Sequence, residues 1–360
     1  MQIARSIHPL PGEAERGARL AALVDRFAGR RVLVVGDVIA DEFVYGQVAR
    51  VSREAPVLIL QYDSTEVLPG GAGNAASNVA ALGGRAHLAG LLGNDEPGRR
   101  LARALRARIG GTGLLRPAGY RTPVKTRILA GGVHTAKQQI VRIDRLPSQP
   151  VDARTRVEFE RRTLQACSGI DAVLVSDYGS GLVTPDLVGR LRERLGRRSR
   201  RRPVPVLVDS RYDLLRYKGL TGCTPNEAEV EQMLGAPIDD RPGALERAGR
   251  KVLKQTRMGA VLITRGSRGM ALFEPGRRTA HVPIFGSDQV TDVTGAGDTV
   301  IAAVTLALAA GASFYEAARL ANYAGGLVVM KRGTATVSAG ELRDAIESDH
   351  AAPPEEAGRH

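Results

Sequence analysis

The chain has 360 residues, a formal net charge of +13, 43% hydrophobic residues and 25% charged ones. That length holds one large α/β domain or two smaller ones, and the composition is that of an ordinary soluble globular protein. No apolar run approaches the roughly 18 residues needed to cross a bilayer, and residues 1–30 lack a signal-peptide core. Cys167 and Cys223 stand at no metal-ligand or redox spacing, so reduced thiols and a cytoplasmic location are expected.

Residues 1–29 are polar and broken by Pro9, Pro11 and Gly12. They predict an N-terminal extension outside the main fold, with a short helix around Arg16–Phe27, ahead of a main domain over 30–347. Arg31–Val35 is a continuous apolar run closed by Gly36, as in a strand buried on both faces. Asp37 ends that strand and Asp41 follows four residues on. Such an acidic pair suits sugar hydroxyls, and equally suits a turn. Shorter strands are predicted at Phe43–Tyr45, Val57–Gln61, Val124–Leu129 and Gln139–Ile143. Several alternate apolar with polar side chains, which predicts a small second sheet, a lid within about 42–62 and 120–144. The stretch Pro69–Asn78 opens a helix over Asn74–Leu82. Gly70 and Gly71 allow close backbone approach there, and Asn74 can both donate to and accept from a polyol. Lys125 and Arg127 on one lid strand and Arg142 on the next share a surface suited to a substrate phosphate, or are charges on an exposed face.

A strand is expected at His87–Leu92, and helices at Glu96–Arg108 and Val157–Cys167. From Ala172 the alternation is regular. Strands at Ala172–Ser176, Val204–Val208 and Gly259–Thr264 are interleaved with helices at Pro185–Leu195, Asn226–Leu234 and Gly243–Gln255. A hairpin near Met270–Phe273 and Thr279–Val282 follows, and Phe314–Met330 and Ala339–Ile346 are the last helices. This predicts an α/β fold with a doubly wound, mostly parallel sheet and ligands at the strand C-terminal ends. Residues 348–360, with Pro353-Pro354 and Glu355-Glu356, predict a disordered tail. The run Arg190, Arg192, Arg194, Arg197, Arg198, Arg200, Arg201 and Arg202 has no interleaved aromatics, which favours a solvated helix end over nucleic-acid contact. Asn226 and Glu229, spaced i, i+3 at a helix start, form a capping box, hold a magnesium ion through its water shell, or do both.

Asp292-Val293-Thr294-Gly295-Ala296-Gly297-Asp298-Thr299 leads into Val300–Ala310, an almost wholly apolar helix stopped at Gly311. Gly295, Ala296 and Gly297 leave backbone N–H groups open to an anion where the helix dipole also favours negative charge. Asp298 at that point makes sense as a base that takes a proton from a hydroxyl while neighbouring amides hold the phosphoryl group in transfer. A plain helix N-cap is the alternative. No Gly-x4-Gly-Lys-Ser/Thr string occurs, which excludes a P-loop.

Together these stretches resemble the ribokinase-like (PfkB) family of carbohydrate kinases, through Gly70-Gly71-Ala72-Gly73-Asn74 and Asp292-Val293-Thr294-Gly295-Ala296-Gly297-Asp298. Within it the chain looks most like the D-glycero-β-D-manno-heptose 7-phosphate kinases. That likeness rests on Gly36–Asp41, Val51–Val57, Val175–Gly179, Thr224–Glu229, Asp298–Ile301 and Lys331–Val337. The resemblance implies an α/β/α core with a small β lid, ATP as phosphate donor, Mg²⁺ as cofactor with K⁺ as a further candidate, and a homodimer joined through the lids. It implies Asp298 as the base, with Gly295, Ala296 and Gly297 around the transferred group. On the sugar side it implies Asp37, Asp41 and Asn74 and, by extension, Gly70, Gly71, Lys125, Arg142 and Asp177. On the nucleotide side it implies Asn226, Glu229, Thr264, Gly266, Gly269 and Asn322, with Glu229 reaching the metal through water.

The reaction implied is phosphorylation of O1 of the heptose 7-phosphate to the 1,7-bisphosphate, in ADP-heptose and lipopolysaccharide core synthesis. Some relatives continue into a nucleotidyltransferase domain, and a stand-alone kinase is expected here. Kinases for fructose, ribose or adenosine, and a nucleic-acid-binding regulator on an inactive kinase fold, are the rivals. Relatives usually carry Lys after Asp-Tyr-x, where Ser180 stands. Lys125 or Arg142 would then have to supply the cation.

Overall fold

The apolar runs within Arg31–Val35, Ala172–Ser176 and Gly259–Thr264 have become strands with both faces covered. β1 (Arg31–Gly36), β4 (Arg85–Ala89), β7 (Ala172–Asp177), β8 (Val206–Ser210), β9 (Gly222–Cys223) and β10 (Ala260–Thr264) pair in parallel. β11 (Met270–Phe273) and β12 (Ala280–Val282) add an antiparallel edge, giving the order β12-β11-β10-β9-β8-β7-β1-β4. The structure, a computed structural model, describes residues 13–109, 113–131, 137–147, 150–196, 203–239, 241, 243–286, 292–331 and 333–351. Successive residues of β1 enter different cores: Val32 and Val34 pack on one side of the sheet, Leu33 and Val35 on the other. A strand buried twice has no polar face, which is why its sequence does not alternate.

The first core lies under α2 (Ala72–Ala81), α3 (Glu96–Ile109), α8 (Ala296–Ala310), α9 (Phe314–Val328) and α10 (Ala339–Ala351). The second lies under α4 (Ala153–Ala166), α5 (Pro185–Gly196), α6 (Glu227–Leu234) and α7 (Ala244–Thr256). Every residue of α8 from Asp298 to Ala310 is buried. A helix apolar all round needs cover on every side. α1 (Glu13–Asp25) helps supply it: Leu20, Leu23, Val24 and Phe27 join the first core, and Asp25 and Arg343 pair at 2.6 Å. The N-terminal helix is therefore part of the main fold, contrary to expectation.

The second sheet has the order β3-β2-β5-β6, from β2 (Val38–Val51), β3 (Leu58–Gly71), β5 (Val124–Gly131) and β6 (Gln138–Arg145). β2 and β3 run 14 residues each, far beyond the short segments expected at Phe43–Tyr45 and Val57–Gln61. Register shifts between Tyr45 and Gly46 and between Val48 and Arg50 break the period-two pattern that sequence reading relies on. Both strands begin or end in the first core, so Asp41 and Gly70–Gly71 sit where the small sheet joins the large one.

α10 continues through Ala351, past the expected domain end at 347, and residues 352–360 of the expected tail lie outside the described residues. Of the arginine run, Arg197–Arg202 also lies outside them. Arg190 pairs with Glu160 and Asp186, and Arg192 donates to the carbonyls of Lys218 and Gly219. Cys167 and Cys223 are buried and stand outside any disulfide. Among the described residues no helix is long and apolar enough to cross a membrane.

Candidate active site

Parallel strands deliver polar residues to one end of the large sheet, where α2 and α8 begin. Asp298 lies in the first turn of α8 and is 4% exposed. Asn74 Nδ2, from α2, donates to Asp298 Oδ2 at 2.8 Å, and the Tyr178 hydroxyl, just past β7, donates to Oδ1 at 3.4 Å. Burial pushes the Asp298 carboxyl up to about 7; Asp41 adds to the rise, while Asn74, Lys125 and Tyr178 oppose it. A carboxyl balanced near neutrality is what proton abstraction at physiological pH requires.

The turn before α8 is shaped for this contact. Gly295 has φ 78°, and a Cβ there would come 2.5 Å from Asn74 Nδ2. Asp292 braces the turn by accepting from the N–H groups of Thr294 (2.9 Å) and Gly333 (3.0 Å). The expected anion cradle is narrower than the sequence suggested, because Ala296 N–H already donates to the Val293 carbonyl at 3.2 Å. The N–H groups of Gly297 and Asp298 have no acceptor among the described residues and remain available.

On the side expected to take the sugar, Asp37 Oδ2 accepts from the N–H groups of Tyr178 (2.8 Å) and Ser180 (3.4 Å), and Oδ1 accepts from the Ser180 hydroxyl. Burial raises the Asp37 pKa against the lowering effect of these bonds. Ser180, the departure from the family pattern, thus supplies a hydroxyl to Asp37 and no cation. Gly71 has φ 54° and lies against the Asp37 carbonyl oxygen, where any Cβ would collide, and Gly70 lies against the Asp41 carboxylate. Asp41 is paired with Arg127. Lys125 is half-buried, with Nζ 4.5 Å above the centre of the Tyr178 ring, and it makes no ion pair among the described residues. Burial lowers its pKa and Asp41 opposes the fall. Arg142 is held by Asp144 through Nε and Nη2, each at 2.8 Å, on the exposed edge strand β6. Lys125 is therefore the better placed of the two cations.

Asp177, expected as a sugar contact, is held within the protein. Its carboxylate accepts from Gly179 N–H (3.0 Å), the Ser210 hydroxyl (2.8 Å) and the Tyr217 hydroxyl (2.8 Å), so it braces the turn after β7. On the side expected to take the nucleotide, the capping box is fully formed. Asn226 Oδ1 accepts from Glu229 N–H at 2.8 Å, and Glu229 Oε2 accepts from Asn226 N–H at 3.0 Å. Thr264 bridges to Asn226 at the end of β10, and the turn carrying Gly266 and Gly269 follows. Asn322 is buried and donates to the Pro283 carbonyl at 2.8 Å.

Two residues of the site went unassigned in the sequence, the acid Asp209 and the cation Arg211 two positions on. Burial holds the Asp209 carboxyl well above the usual range; Glu229 and Asp298 add to this and Arg211 opposes it. Asp209 closes the apolar run of β8 as Asp37 closes β1, so the same signal was there to find. Among the described residues no group of three or more His, Cys, Asp or Glu side chains is set to hold a metal by itself. A cleft of about 490 Å³ lined by Arg250, Lys254, Arg257 and Met258 lies at the N-terminal end of β10, away from these residues.

Residues 30–339 match the family model described as pfkB family carbohydrate kinase. Curated relatives include the bifunctional protein HldE of Trichlorobacter lovleyi, 38% identical over 331 residues, covering 91% of this chain and 65% of that protein. Another is the bifunctional protein HldE of Caulobacter vibrioides, 41% identical over 340 residues, covering 93% of this chain and 67% of that protein. The chain thus spans about two thirds of the length of these relatives. Similar solved structures include Arabidopsis thaliana ribokinase complexed with ribose and ATP, with a TM-score of 0.67, 22% identity and coverage of 91% and 100%. Escherichia coli phosphofructokinase-2 in complex with potassium gives a TM-score of 0.69 at 17% identity, with coverage of 89% and 99%. At such identities the shared feature is the fold, a ribokinase-like α/β sheet with a separate small sheet.

Proposed function

We propose a specific reaction from the premise that the chain belongs to the pfkB family of carbohydrate kinases and is a sugar kinase. It transfers the γ-phosphoryl group of ATP to O1 of D-glycero-β-D-manno-heptose 7-phosphate, giving the 1,7-bisphosphate for ADP-heptose and lipopolysaccharide core synthesis. The HldE relatives support the sugar. The observation that carries the chemistry is a buried carboxyl, Asp298, pinned by Asn74 beside two open N–H groups.

In this mechanism Asp298 takes the proton of the acceptor hydroxyl. The freed oxygen bonds to the γ-phosphorus as the bond to the ADP oxygen breaks, and ADP leaves with that electron pair. The Gly297 and Asp298 N–H groups bind the oxygens of the group in transit, where charge accumulates. Asn74 holds the base in orientation, and Asp37 and Asn74 contact the sugar between Gly70–Gly71 and the lid. Asn226, Thr264, Gly266 and Gly269 border the nucleotide. The half-buried acids Asp209 and Glu229 fit a hard divalent cation, whose charge would offset the desolvation that raises both carboxyls and the repulsion from Glu229 and Asp298 that adds to the rise at Asp209. Mg²⁺ would be held by Glu229 through water and by the phosphates, and when bound it neutralises charge on the phosphoryl oxygens. K⁺ is part of the proposal as an activator; the buried Thr334 hydroxyl beside Gly295 has no hydrogen-bond partner among the described residues and suits such an ion. Buried cysteines outside any disulfide accord with a cytoplasmic location.

ADP release measured on the heptose 7-phosphate, fructose, fructose 6-phosphate, ribose and adenosine tests the sugar. Turnover of free sugars with none on the 7-phosphate would select the rival kinases. Lys125→Ala is expected to raise KM for the 7-phosphate about tenfold or more with kcat within about twofold, the loss of one charge-assisted contact. Arg142→Ala changes it less, because Asp144 already neutralises that side chain. Equal effects would reassign the phosphate contact.

A homodimer through the lids is the proposed assembly. Val48, Val51, Leu58, Tyr62, Ile140 and Ile143 are exposed on the small sheet, an apolar surface that a second copy would cover. Ile143→Asp is expected to halve the mass measured by light scattering at micromolar concentration. A parent that is already monomeric there would remove the dimer.

A further inference from the structure

Tyr178 joins three parts of the cleft. Its N–H donates to Asp37 Oδ2 at 2.8 Å, its hydroxyl donates to Asp298 Oδ1 at 3.4 Å, and its ring lies 4.5 Å below the Lys125 ammonium. It follows β7 of the large sheet, whereas Lys125 belongs to β5 of the small one, so the ring contact ties lid to core. The ring edge also lies near Gly71, where an added Cβ would fall 3.3 Å from Tyr178 Cε2. A phenylalanine would keep the packing and the cation–π contact. The hydroxyl is part-buried, and the acceptor it has found is the base.

We propose that Tyr178 is the positioning residue of the transfer: its hydroxyl fixes the second oxygen of Asp298, and its ring seats Lys125 at the acceptor. This rests on Asp298 being the base. With Oδ2 held by Asn74 and Oδ1 by Tyr178, the carboxylate plane is set from both sides, and each oxygen keeps a lone pair for the incoming hydroxyl. A donor to a carboxylate favours its charged form, so Tyr178 works against the burial of Asp298. The charged groups facing Asp298 are Asp41 from β2, Lys125 from β5 and Asp209 from β8, and Arg211 also acts on the Tyr178 hydroxyl. Burial, followed by Asp298, Asp209 and Asp41, raises the Tyr178 pKa well above its ordinary value, so the phenol stays protonated and remains a donor at any working pH.

The test compares Tyr178→Phe with Tyr178→Leu in the full chain. Titration of the Asp298 carboxyl is followed by carbon-13 NMR, which needs no turnover, alongside the pH profile of kcat/KM and the acceptor KM. Tyr178→Phe is expected to move both the carboxyl titration and the acid limb up by about 0.5–1 pH unit with KM within about twofold, as loss of one hydrogen bond predicts. Tyr178→Leu is expected to add a KM rise of about tenfold, through loss of the Lys125 seat. A carboxyl titration unmoved in Tyr178→Phe overturns the hydroxyl role, and equal KM values in the two variants overturn the seat. A carboxyl titration that moves while the acid limb stays put leaves Tyr178 acting on Asp298 and removes Asp298 as the base. Should Tyr178→Leu fail to fold, Lys125→Met probes the same contact from the lid, and an unchanged acceptor KM there overturns the seat.

Discussion

Asp298→Asn is expected to lower kcat by a factor of about 10² or more while raising the melting temperature at pH 8. The first effect follows because an amide cannot take the proton of the acceptor hydroxyl. The second follows from linkage. The folded-state pKa is about 7 against an ordinary value of 3.8, so the folded chain binds that proton more tightly than the unfolded chain does. Ionising Asp298 therefore costs folding stability above pH 7, on the order of a few kcal/mol, and the cost fades as pH falls from 7 towards 4. Asparagine carries no charge and can still accept from Asn74. The gap in melting temperature between variant and parent should accordingly be widest at pH 8 and narrow towards pH 4. In the parent, kcat/KM should fall as pH drops through about 7, as the base becomes protonated. Near-normal turnover by the variant would remove the base, and a melting temperature no higher than the parent's at pH 8 would remove the buried charge.

Gly71→Ala is expected to disable the enzyme by a different route. Gly71 joins β3 to α2 with φ 54° and ψ −131°, a conformation that only glycine adopts without strain. A methyl group there would also strike the Asp37 carbonyl oxygen, which accepts the Ala72 N–H at 2.9 Å. Strain and collision together cost about 3 kcal/mol or more. The relief available is a shift of the start of α2, which carries Asn74 away from Asp298. Urea unfolding should show a lower midpoint at unchanged slope, and kcat/KM should fall by about 10² or more. A variant with parental midpoint and parental kinetics would show that the strand-to-helix junction is not what aligns Asn74.

The buried strands were the most legible part of the chain. Arg31–Val35, Ala172–Ser176 and Gly259–Thr264 are apolar without interruption, and they form β1, β7 and β10 nearly as expected. The helix after Gly295 was equally plain, because Val300–Ala310 has almost no polar face to place. The small sheet was only half legible: β2 and β3 run on through polar residues and register shifts where local periodicity fails. The N-terminal helix was misplaced because its burial depends on what α8 and α10 leave uncovered, which is a property of the packed layers.

Site residues divide along the same line. Glycine turns, strand-end acids and the Asp298 helix start are local features, so the sequence by itself determined which segments are buried and where an anion can approach backbone N–H groups. Which polar groups are free to act was decided only by the tertiary structure. Asp177 is engaged by Ser210 and Tyr217, Arg142 by Asp144 and the Ala296 amide by Val293, while Asn74 reaches Asp298 across 224 residues of chain. Hydrogen bonds and desolvation act over a few ångströms, and no local pattern records which distant side chain will arrive within that range.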